Sequence, residues 1–161
     1  MIRRRHFCTL LAVSTAGCQL QPVPSTPSPG LAMTEATKAR LAKAGVKQCE
    51  RVAAYVLNQS VPSPSPSLTL LIDGKLNPDR SPLDGRTLDD REVNTLLDAT
   101  TGKNHPSPHA RCFFPRHAIA FYTHDGNMVA HMDICFSCLG YRAQGVKVVR
   151  EPDYKALKRL F

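Results

Sequence analysis

Apolar and polar residues alternate most regularly in "RHAIAFYTHDGNMVAHMDICF", residues Arg116 to Phe136, where two apolar runs flank the pair Asp125–Gly126. An Asp-Gly pair between such runs is the signal for a tight β-hairpin. With Asp125 and Gly126 as the turn pair, Phe121 faces Ala130, Ile119 faces Met132 and His117 faces Ile134, all on one apolar side. The other side pairs Tyr122 with Val129, Ala120 with His131, Ala118 with Asp133 and Arg116 with Cys135. A one-residue bulge would change this register.

Around the hairpin the periodicity is helical. "TEATKARLAKAGVKQCERVAAYVLNQ", Thr34 to Gln59, places Leu41, Cys49, Val52, Ala53 and Val56 near one face and predicts a first helix, with Gly45 as its weak point. "SVPSPSPS" breaks it into a loop, and "LTLLIDG" reads as a strand ending in a turn. "TLDDREVNTLLDAT" predicts a second helix with Val93, Leu96 and Leu97 inside and Thr87 with Asp90 as its capping pair. "QGVKVVR" is a candidate further strand. "PDYKALKRLF" closes as a helix with Pro152 in its first turn and Tyr154, Leu157 and Phe161 facing inward. The sum is an α+β domain, a small antiparallel sheet built around the hairpin at about 116–136 with packed helices.

Composition changes the picture at the start of the chain. Arg3 to Arg5, the apolar run Phe7 to Val13 and the small residues Ser14 to Gly17 have the layout of an export signal, too short to span a membrane. The exit "TAGC" resembles the signal-peptidase site of bacterial lipoproteins, and "RRHF" resembles part of a twin-arginine export signal. The resemblance implies a signal peptide over 1–17 and a lipidated (palmitate-bearing) Cys18 that anchors the chain to the membrane. "QLQPVPSTPSPG" follows; it cannot bury enough apolar surface to pack, so 18–33 reads as a tether and 34–161 as a single domain. Gln19 is not the Asp that resembles an inner-membrane retention signal, which points to the outer membrane, facing the periplasm. The full chain carries 21 basic and 13 acidic residues; without Arg3, Arg4 and Arg5 the balance is 18 against 13, or +5. A +5 domain with no basic run is an ordinary solvated surface rather than a nucleic-acid footprint.

Beyond the lipid site four cysteines remain: Cys49, Cys112, Cys135 and Cys138. Cys112 precedes the first hairpin strand while Cys135 and Cys138 end the second, so an antiparallel hairpin brings all three to one end. In an oxidising compartment a structural disulfide is the first expectation, pairing Cys112 with Cys138, Cys112 with Cys135, or Cys135 with Cys138 as a small ring. Zinc is the alternative, held by Cys112, His117, Cys135 and Cys138 as a tetrahedral set. Thioredoxin-like redox chemistry fits poorly, because "CFSC" ends a strand with no helix after it to lower a thiol pKa. A thiol enzyme would use Cys135 as nucleophile, His131 as base and Asp133 to orient it, since all three alternate onto one face. Residues two apart on a strand, however, lie roughly 7 Å apart. Arg111 and Arg116 are candidate anion binders, and Cys49 is read as a buried core thiol.

The string "CFFPRHAIAFYTHDGNMVAHMDICFSC" resembles the core of a family of small bacterial proteins without assigned activity, many of them exported or lipoproteins. Cys112, Pro115, His117, Phe121, Tyr122, Gly126, Ile134, Cys135, Phe136 and Cys138 match the pattern Cys-x-x-Pro-x-His … Ile-Cys-Phe-x-Cys, and "YKALKRLF" is similar to the family's closing helix. The resemblance implies a unified domain and no particular substrate. The expectation is an envelope-associated interaction or structural module, with an envelope protein as partner, rather than an enzyme.

Overall fold

The structure, a computed structural model, describes residues 33–57, 69–105 and 113–161. The leader, Cys18, almost all of the tether, the "SVPSPSPS" loop, Arg111 and Cys112 lie outside the described residues.

In chain order the elements are α1 (Glu35–Lys43), β1 (Arg51–Leu57), β2 (Leu71–Ile72), β3 (Lys75–Leu76), β4 (Arg80–Thr87), α2 (Asp90–Thr101), β5 (His117–Tyr122), β6 (Met128–Cys135), β7 (Gly140–Gln144) and α3 (Tyr154–Lys158). The main sheet has the order β4-β1-β5-β6-β7, every neighbouring pair antiparallel; β2 and β3 form a separate hairpin. The α+β class is therefore as expected. Among the described residues no helix is long and apolar enough to cross a membrane.

The expected long first helix is two elements. α1 stops at Lys43, Gly45 turns the chain at φ +94° and Gln48 follows at φ +56°, a left-handed backbone that neither helix nor strand can continue. The apolar run from Val52 to Leu57 is then β1, hydrogen-bonded on both sides by β4 and β5. A strand with both faces covered has no polar side to alternate with, so its pattern imitates a buried helix.

One sheet face carries Val52, Ala54, Ile119, Phe121, Met132 and Ile134 against the helices, sharing a core with Leu41, Val93, Leu97 and Leu157. The other carries Ala53, Tyr55, Leu57, Ala118, Ala120 and Tyr122, and Leu70 at the foot of the β2–β3 hairpin is fully buried among them. The β5–β6 register matches from His117↔Ile134 to Phe121↔Ala130. A bulge then pairs Tyr122 with Met128 rather than Val129.

Three smaller expectations are corrected. The cap of α2 is Asp89, whose carboxylate accepts Glu92 N–H at 2.7 Å while Glu92 accepts Asp89 N–H at 3.0 Å. Asp90 is spent elsewhere, accepting from Thr34 N–H at 2.8 Å to tie the starts of α1 and α2 together. The strand beside β6 is Gly140–Gln144, and 145–150 crosses instead to the helix ends, with Lys147 N–H on Ala44 O and Val149 N–H on Thr100 O. Pro152 stands one residue before the α3 cap Asp153, outside the helix.

Candidate functional site

The "CFSC" stretch is the turn between β6 and β7. Cys135 pairs with Gly140 across the strands, and Cys135 and Cys138 are joined by a disulfide with Cα atoms 5.7 Å apart. That span is ordinary for a disulfide. Leu139 takes φ +48° to close the turn, and the Phe113 ring packs at Gly140, 3.2 Å from where a Cβ would stand. Phe113 is the first described residue after Cys112, and its ring stands at the cysteine end; Cys112 itself lies outside the described residues. Both bonded cysteines are buried. A ring this small constrains the unfolded chain modestly, by about 2 kcal/mol on the chain-entropy estimate.

This geometry corrects the zinc expectation. Zinc needs thiolates, and the sulfurs of Cys135 and Cys138 are bonded to each other. Among the described residues no three His, Cys, Asp or Glu side chains come together to hold a metal. The disulfide likewise leaves Cys135 without the thiolate that a nucleophile requires. Cys49 is a free thiol, as expected, but it sits in the connector before β1 rather than on a helix. Burial pushes its pKa up to about 11, and its Sγ donates to Arg51 O at 3.5 Å, so it is inert.

His117 stands at the same end, on the helix-facing side as expected, inside a triangle of rings. Its centroid is 4.8 Å from Phe136 and 4.7 Å from Phe161, all edge to face. Its Nδ1 is buried with no hydrogen-bond partner among the described residues. Burial, and then the Lys158 ammonium, hold its pKa below the usual value. A depressed histidine pKa means that its share of stability is present above about pH 6.5 and is lost as pH falls through the folded value. His117→Phe removes an orphaned polar atom between two aromatic rings. It is expected to stabilise the fold by about 1–2 kcal/mol near neutral pH and to abolish this acid-side loss, as read from thermal unfolding at about pH 7.5 and about pH 5.

The opposite face holds His131 and Asp133. Asp133 is 2% exposed, and its Oδ1 accepts Leu70 N–H at 2.7 Å, which pins the foot of the β2–β3 hairpin to the sheet. His131 Nε2 lies 3.9 Å from Asp133 Oδ2, too long for a hydrogen bond and close enough for charge to matter. Burial raises the Asp133 pKa, opposed by the Leu70 N–H, His131 and Arg142. His131 lines a groove of about 380 Å³ with Leu71, Leu76, Tyr122, Met128 and Gln144. Beside it the Tyr55 and Tyr122 hydroxyls meet at 2.6 Å, and Tyr55 donates to Asp84 O at 3.3 Å. The tyrosine pair was illegible in the sequence because its strand, β1, reads as helix. Arg116 precedes β5 with its carbonyl accepting Leu57 N–H at 2.8 Å. Arg111, the other candidate anion binder, is outside the described residues.

Compared with known proteins, the chain matches no family model, no curated protein and no solved structure.

Proposed function

We propose that this chain is an exported, lipid-anchored envelope module, held through Cys18 at the periplasmic side of the bacterial outer membrane and working by binding a partner in the envelope. The observation that carries the reading is the Cys135–Cys138 disulfide, because such bonds form and persist in exported proteins and are rare in reducing cytosol. The leader supports it, with its basic start, short apolar run and "TAGC" exit. The resemblance of Cys112 to Cys138 to small exported bacterial proteins points the same way. His131, beside Asp133, lines a groove, yet the cysteine that would complete a thiol enzyme is oxidised, which favours binding over catalysis.

Metabolic labelling with radioactive palmitate, using the full chain expressed in a bacterial host, tests the anchor. The chain is expected to take up label and sediment with membranes, and Cys18→Ala to lose both. A labelled Cys18→Ala chain, or an unlabelled wild-type chain recovered whole from the cytosol, would overturn the proposal.

A further inference from the structure

A groove of about 420 Å³ opens where α1 and α2 end, and it lies on the far side of the sheet from His131. Its floor is apolar, made by Ala44, Leu97, Val148 and Val149, and its rim carries Arg40, Lys43 and Lys147. The rim cations are not equivalent. Arg40 is spent on Asn94 and Asp98. Elsewhere on this face Lys38 pairs with Glu35 and Glu50, and Arg86 with Glu92. Lys43 and Lys147 make no ion pair or hydrogen bond through their ammonium groups with any described residue.

Lysines near helix C-termini usually serve the exposed carbonyls there. Here most of those carbonyls are already taken. Backbone N–H groups of Ala44, Gly45, Val46 and Lys147 occupy the carbonyls of Arg40, Ala42, Leu41 and Ala44. Those of Gly102, Val149 and Asp153 occupy Asp98, Thr100 and Ala99. The two ammonium groups therefore have little capping duty, and they stand over a concave apolar floor.

We infer that this groove is a binding site for an amphiphilic anion, a single alkyl chain bearing a phosphate or carboxylate head. The head lies between Lys43 and Lys147, where charge-assisted hydrogen bonds form, and the chain lies on Leu97, Val148 and Val149. The site needs neither lipid on Cys18 nor export, so it stands apart from the anchor.

Titration of the isotope-labelled full chain with decyl phosphate, below its micelle concentration and followed by amide chemical shifts, tests the site. Saturable shifts are expected at Ala44, Leu97, Val148 and Val149. Lys43→Gln and Lys147→Gln should each weaken binding about tenfold, while the paired Lys38→Gln leaves it unchanged. Both lysines are exposed, and the amide spectrum reports directly that each variant remains folded. Inorganic phosphate and the uncharged decyl maltoside are expected not to saturate at the same concentrations. Equal affinity in the Lys43→Gln/Lys147→Gln variant would overturn the inference, as would shifts centred elsewhere. Saturation by phosphate alone would overturn it in favour of a simple anion site, and by the maltoside in favour of apolar adsorption.

Discussion

Replacing Gly85 by alanine is expected to lower the unfolding free energy by about 2–4 kcal/mol, from strain at a positive φ added to overpacking. Gly85 adopts φ +75°, which an L side chain rarely takes. It lies on β4 where the strand crosses β1, opposite the register shift between Ala54 and Val56. A Cβ there would stand 2.8 Å from both Ala53 Cβ and Tyr55 Cε1. The ring cannot yield easily, because Tyr55 is 1% exposed and its hydroxyl is held by Tyr122 and Asp84 O. Chemical denaturation followed by far-ultraviolet circular dichroism measures the loss. A Gly85→Ala protein as stable as the wild type would mean that β4 does not approach β1 this closely.

Asp133→Ala should cost about 2–3 kcal/mol, because it strands the buried Leu70 N–H and removes an acceptor that carries charge. Asp133→Asn should cost little or stabilise near neutral pH. It keeps an oxygen for Leu70 and removes the desolvated negative charge. The pH dependence separates the two contributions. Because burial raises the folded pKa of Asp133, the folded state binds the proton more readily than the unfolded chain does. Its contribution therefore makes the protein more stable as pH falls through the folded value, levelling off below the unfolded value of about 3.9. Asp133→Asn should lack that gain. Denaturation midpoints for the three proteins between neutral and mildly acid pH decide the matter, and an Asn variant as unstable as the Ala variant would show that the charge itself holds the hairpin. Asp133 and His117 act in opposite directions on acidification, from opposite faces of one sheet.

The legible parts of the fold are those with one wet and one dry side. The β5–β6 hairpin declared its turn and five residue pairs, since Ile119, Phe121 and Met132 alternate with Ala120 and His131 around Asp125–Gly126. The bulge at Tyr122 was illegible because Met128 and Val129 are both apolar, and either can face the tyrosine. α2 was visible through Val93, Leu96 and Leu97; its cap slipped by two residues because four neighbouring side chains from Thr87 to Glu92 can all cap. Of the two aspartates, only Asp89, with Glu92, closes the reciprocal box, while Asp90 is drawn to Thr34, 56 residues away in sequence.

At the site, the chain by itself placed Cys135 and Cys138 close together where β6 ends, three residues apart; the expected return of Cys112 to that end falls outside the described residues. The chain determined as well that His117 faces the core and that His131 and Asp133 share the opposite side, because side chains alternate with a period of two. Which sulfurs bond was decided by the β6–β7 turn, which sets Cys135 and Cys138 at bonding distance and so removes the thiolates that zinc would need. That Val52 to Leu57 is a strand was likewise a tertiary decision: an apolar run is compatible with either period until β4 and β5 pair along its two edges and the helices and the β2–β3 hairpin cover its two faces. The groove of Lys43 and Lys147 is tertiary altogether, for two lysines about a hundred residues apart became neighbours only when 145–149 crossed the helix ends. Local alternation is written in the order of the residues, and long-range pairing depends on which backbone groups are still unsatisfied once the local elements have formed.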